Sequence, residues 1–125
     1  MARNIAEDLL TQWGRWVWQS TGVPGYVSPC YALMRDNVAQ HFAPAAAITD
    51  EDAMLVDSIL ARMGRRDPEM AKAVMLYYAT GRTMHGVGKV MNLHRLKVRE
   101  LLYAGTCYVQ AVLDMKADRI EQMAA

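Results

Sequence analysis

The 125-residue sequence predicts an all-α fold, a small helical domain that ends in a long C-terminal helix. Three features carry that expectation. Apolar residues recur at helical spacing, helix caps stand at the expected starts and stops, and the second half runs helix, glycine, short helix, tight turn, long helix. At 14.0 kDa and 53% apolar residues the chain is long enough to bury a real core but too short for two, so one domain over 1–125 is expected.

Residues 3–19, RNIAEDLLTQWGRWVWQ, place Ile5, Leu9, Trp13, Trp16 and Val17 on one side of a helix, with Asn4 as its cap and acids in its first turn. Trp18 falls off that stripe and is either a second packing contact or an exposed aromatic kept for a partner. From Ser20 to Ile48 the chain carries Pro24, Pro29 and Pro44 among turn residues. That punctuation predicts a long loop holding one short helix near 29–36. The body of the domain then covers 49–125.

Thr49 caps the next helix, with Asp52 at its third position and an acidic first turn that suits the helix dipole. Leu55, Val56, Ile59, Leu60 and Met63 form its apolar side, Gly64 is its expected end, and Arg65 and Arg66 follow. Asp67 and Pro68 restart a helix through Tyr78, with Met70, Val74, Tyr77 and Tyr78 inward and Gly81 as the stop. Thr83 to Met91 is a short helix, Asn92-Leu93 a turn, and from His94 a long helical pattern begins.

Net charge is +1, but it is segregated. Residues 1–61 hold three basic and seven acidic side chains, 62–99 hold nine and two, and 100–125 hold two and four. A basic block of that kind attracts phosphate even in a nearly neutral chain. Enzyme chemistry has no foothold: GxGxxG, P-loop, HExxH and GxSxG patterns are absent, and the three histidines have no acid or nucleophile at a telling spacing. Cys30 and Cys107 form no CxxC, so reduced thiols are expected, with no metal, no cofactor and no catalytic residue. The apolar runs are too short to span a bilayer, and acids stand where a secretory signal would be apolar, which predicts a cytoplasmic protein.

Helix, turn and longer helix from Thr83 onward is the layout of a helix-turn-helix, set within about 67–105, whose second helix enters the DNA major groove. Val98, Leu101, Leu102 and Gly105 anchor that helix, while Leu96, Arg99, Glu100 and Tyr103 fall on its free side. Leu96 does not fit the apolar repeat of its own helix and stands among Lys89, Arg95, Lys97 and Arg99. A thymine methyl would account for it, with arginine taking guanine and Glu100 accepting from cytosine. Arg62, Arg65, Arg66, Arg82, Lys89 and Lys97 are the candidates for phosphate contacts. A helical hairpin whose leucine is buried against a partner subunit would have the same pattern.

WGRW at 13–16, the following STGVPGYVSP, DPEMAKAVMLYYATG at 67–81 and VRELLYAG at 98–105 together resemble the phage antitermination protein Q family, in the smaller form of lambdoid phages related to phage 21. The second half is also similar to the region-4 domain of bacterial sigma factors, a helix-turn-helix that reads promoter DNA. The resemblance implies a non-enzymatic regulator of late genes in the host bacterial cytoplasm. It would bind double-stranded DNA at the phage late promoter, load onto sigma-containing RNA polymerase, and form a collar at the RNA exit channel where terminator hairpins cannot fold. It places Arg95, Leu96, Arg99 and Glu100 toward the bases and Lys97 beside the backbone. His94 departs from the small capping residue usual there, and Gly86 and Gly88 stand where alanine is expected, each weakening the short helix by up to about 1 kcal/mol.

A collar needs cations toward nascent RNA, for which Arg15, Arg35, Arg62, Arg65 and Arg66 are candidates. The acidic first third, 1–48, suits protein better than DNA, with Trp18, Tyr26, Tyr31 and Phe42 as anchors for the polymerase. A second copy of the chain is a further partner to consider. The competing readings are a phage repressor or activator that acts by occupancy, and a small terminase subunit that assembles a packaging ring.

Overall fold

The computed structural model describes residues 5–18 and 47–124, which form five α-helices and, among the described residues, no strand. They are α1 (Ala6–Trp18), α2 (Asp50–Arg66), α3 (Pro68–Thr80), α4 (Met84–Met91) and α5 (Arg95–Ala124). Asn4, the short helix expected near 29–36, Arg35, Tyr26, Tyr31 and Phe42 lie outside the described residues, as does the side chain of Trp18. No described helix is long and apolar enough to cross a membrane.

Thr49 and Asp67 cap the helices the sequence assigns to them, and Thr83, not singled out as a cap in the sequence, caps α4. Thr49 Oγ1 accepts from the Asp52 N–H at 3.1 Å, Asp67 Oδ1 from Met70 at 3.1 Å, and Thr83 Oγ1 from Gly86 at 3.0 Å. Pro68 opens α3 and Gly81 closes it in the left-handed region, φ 70°. Gly64 is not the end of α2, which continues through Arg66. The Asp67 N–H closes the last turn on the Met63 carbonyl at 2.7 Å, and the two arginines sit at the negative end of the helix dipole.

Helix α3 lies at the centre. The expected stripe of Met70, Val74, Tyr77 and Tyr78 is too narrow: Ala71, Ala73, Met75, Leu76, Ala79 and Thr80 are buried too, and the tyrosines are half-buried. Helices α1, α2 and α5 pack around it. Two glycines allow the approach. A Cβ at Gly14 would collide with the Tyr78 carbonyl, and one at Gly105 with the Val74 side chain.

The α1 stripe holds at Trp13, Trp16 and Val17 and is displaced by one residue only at its start, where Ala6 and Leu10 take the places expected for Ile5 and Leu9. Ile5 precedes the helix and is 42% exposed, Leu9 is half-buried, and Ala6, Leu10, Trp13, Trp16 and Val17 face the core. The register is set by polar contacts that apolar periodicity does not report. Gln110 of α5 accepts from the Ile5 and Ala6 N–H groups at 2.9 Å each, serving the orphan donors of the α1 N-terminus. Trp13 Nε1 donates to the buried Asp57 carboxylate at 2.8 Å, and Trp16 Nε1 donates to Asp50 at 2.8 Å. Both bonds tie α1 to α2.

Helices α4 and α5 are joined by Asn92, Leu93 and His94. Asn92 adopts φ 57°, ψ 47°, a left-handed cap that asparagine tolerates, and the Leu93 N–H returns to the Gly88 carbonyl at 2.8 Å. A Cβ at Gly88 would stand 2.5 Å from the Leu93 carbonyl oxygen, so the glycine is required by the turn. Gly86 has no such constraint, because its added Cβ would meet Thr83 Oγ1 at 3.4 Å.

The Trp13→Phe variant loses a hydrogen bond to a buried carboxylate together with part of a core ring. It is expected to be about 2–4 kcal/mol less stable in urea unfolding with an unchanged slope; a loss under about 0.5 kcal/mol would contradict the clasp. The two glycines of α4 should respond with opposite sign. Gly86→Ala is neutral or stabilising by up to about 1 kcal/mol, whereas Gly88→Ala is destabilising despite the better helix former, and a thermal melt of each shows which way it moves.

Candidate nucleic-acid interface

Helix α5 begins on His94. Its Nδ1 accepts the Leu96 N–H at 3.1 Å and its carbonyl accepts the Val98 N–H at 3.1 Å, so the imidazole does the work of the serine or threonine expected there. Accepting at Nδ1 leaves the ring proton of a neutral imidazole on Nε2.

Along the first four turns of α5 the two faces separate cleanly. Val98, Leu101, Leu102, Gly105, Thr106 and Val109 are buried against the body, and Val98 packs where Gly88 brings α4 close. Arg95, Leu96, Lys97, Arg99, Glu100 and Tyr103 are all exposed, Leu96 by 54% and Tyr103 by 75%. The leucine among cations therefore takes no part in the described core. All four residues expected to face bases share this surface, with Lys97 beside them.

The helix ends add to its positive character. Helices α1, α2 and α3 carry acids in their first turns, whereas α4 and α5 carry none. Arg95 and Lys97 instead occupy the first turn of α5, where the dipole already leaves partial positive charge. Each such cation is unfavourable by a few tenths of a kcal/mol until an anion faces it. On α4, His85 and Lys89 are exposed one turn apart, on the side away from buried Val87.

The other cations are not gathered there. Arg82 is half-buried before α4. Arg62, Arg65 and Arg66 are exposed at the C-terminal end of α2, near the corner where Met63 and Met70 pack against Gly105. Gly105 lies ten residues, about 15 Å along the helix, from Arg95. Arg15 is half-buried on α1.

The Tyr78 phenol is held above its ordinary value, chiefly by burial and further by Glu7 and Tyr77, while a hydrogen bond with Thr106 opposes the shift; it belongs to the core. Among the described residues no three His, Cys, Asp or Glu side chains converge to hold a metal ion. Cys107 is a free, exposed thiol. Apolar periodicity gives no sign of Asp57, Asp50 and Gln110 as the partners that fix α1, and His94 and Gly88, departures from the expected pattern, both build the turn. The only advance sign of the latter was their place beside Asn92, a residue that accepts left-handed geometry.

Comparison with curated proteins and with solved structures gave no significant match. The family model for phage antitermination protein Q matches residues 2–121, nearly the whole chain and every described helix but the last residues of α5. The chain belongs to the phage antitermination protein Q family, and its general role is transcription antitermination in a bacteriophage.

Proposed function

We propose that the protein reads a DNA element at a phage late promoter with α4 and α5 acting as a helix-turn-helix, and passes from there to sigma-containing RNA polymerase. The observation that carries this reading is the exposed N-terminal face of α5, cationic with one leucine, mounted on a helix whose opposite face is locked into the core. Such a helix can enter a major groove without rearranging the body. Arg95, Leu96, Arg99 and Glu100 face the bases: arginine pairs with guanine, Glu100 accepts from a cytosine amino group, and Leu96 rests on a thymine methyl. Lys97 and Lys89 hold phosphates beside the groove, while Arg65 and Arg66 reach the backbone from the α2 corner. Arg82, half-buried, contributes charge more than contact.

On the polymerase, the protein forms a collar at the RNA exit channel that leaves no room for a terminator hairpin. Trp18, Tyr26, Tyr31 and Phe42 anchor it there, and cations outside the DNA-reading face meet the nascent RNA. The chemistry in this account is electrostatic and steric, with no bond made or broken. Acidic residues open α1 and α2, and none open α4 or α5; that contrast supports a division in which the first two helices meet protein and α4–α5 meet DNA.

Two substitutions separate reading from holding. Arg99→Ala is expected to weaken binding to the cognate duplex by about 1–3 kcal/mol and to relax preference at one base pair, as measured by titration against a set of single-base variants. Wild-type affinity with wild-type preference would remove Arg99 from the groove. Arg66→Ala should weaken every sequence alike and reduce the dependence of log affinity on log salt by close to one ion, about 0.9; a loss confined to particular sequences would exclude a phosphate role.

A further inference from the structure

We infer that Tyr103 is a positioning residue of the DNA interface, its phenol donating a hydrogen bond to a backbone phosphate at the far wall of the groove. This rests on the reading of α5 as the DNA-contacting helix and extends it to a residue beyond the base-reading set. Tyr103 is the most exposed large apolar side chain among the described residues, at 75%. Helical geometry puts it two turns beyond Leu96 on the same outward face, with Arg99 and Glu100 between them and buried Val98, Leu102 and Gly105 behind. Seven residues correspond to about 10 Å along the axis. A recognition helix reads bases with its N-terminal residues, and the major groove is about 12 Å wide, so a side chain that far along stands at the groove wall, where the phosphates are.

The chemistry of the side chain fits that place. An exposed ring of this size gains nothing from water, while its hydroxyl is a donor suited to a phosphate oxygen. The phenol carries no charge, so its contact should be invisible in the counterion balance, unlike those of Lys97 or Arg66. The Tyr103 ring stands clear of the described core.

The test uses the full chain and a duplex that the wild-type protein itself selects from a random DNA library. Tyr103→Phe keeps the ring and removes the hydroxyl; it should bind the selected duplex and single-base variants of it about tenfold more weakly, with unchanged base preference and unchanged salt slope. A neutral methylphosphonate scanned along each strand should abolish the difference between wild type and Tyr103→Phe at one phosphate only. Thermal melting of Tyr103→Phe should match wild type, since the hydroxyl has no part in the core. If Tyr103→Phe binds as wild type while Arg99→Ala loses base preference, the Tyr103 assignment is overturned and the recognition-helix reading stands. If wild type selects no sequence, or Arg99→Ala binds with unaltered preference, that reading falls and the Tyr103 assignment falls with it.

Discussion

The close approach of α1 and α5 to the central helix α3 is the constraint on which the rest of the structure depends. Gly14 lets α1 reach the backbone of α3 at Tyr78, and Gly105 lets α5 reach its side-chain layer at Val74. With α3 buried almost all round, neither neighbour can slide without opening the core. The Trp13 bond to buried Asp57 and the Gln110 cap on α1 then fix direction and register, because a buried carboxylate or an orphan N–H left without its partner is costly. Helix α5 is thereby held along its middle, and its first two turns are presented in one orientation.

That rigidity gives the exposed face its meaning. A solvated basic helix is ordinary, but here the cations stand at the positive end of a helix dipole, beside a second helix that also lacks acids in its first turn. The His94 cap and the Gly88 turn set the angle between the two helices with few degrees of freedom. The other described helix starts carry the opposite sign, so the bias belongs to α4 and α5 and does not reflect composition. An interface that binds phosphate and reads bases needs charge, a fixed helix and a face free of packing, and these coincide on α5.

Much of this was legible in the sequence because it depends on local rules. Thr49, Asp67, Pro68 and Gly81 act through neighbours within a few residues, and each stands where the caps require. Leu96 and Tyr103 were readable as unpacked because the anchoring residues of α5 keep a strict repeat. What was not legible depended on partners distant in sequence. The register of α1 is set by Gln110, Asp57 and Asp50, and an apolar count that favours Ile5 over Ala6 cannot know of them. Gly64 looked like a stop because glycine often is one; the last turn of α2 instead closes on Asp67, which serves both helices. His94 looked unsuited to a cap because the rule favours hydroxyls and carboxamides, whereas any acceptor at that distance serves.

The central claim is that antitermination by this chain begins with DNA recognition by α5. The direct measurement is single-round transcription by purified bacterial RNA polymerase holoenzyme from the phage late promoter through a strong terminator, with wild-type protein or with Arg99→Ala. The account predicts terminator read-through with wild type that needs the promoter-proximal DNA and is lost with Arg99→Ala. Termination unchanged by a wild-type protein that binds that DNA specifically, or read-through that persists undiminished with Arg99→Ala, would contradict it.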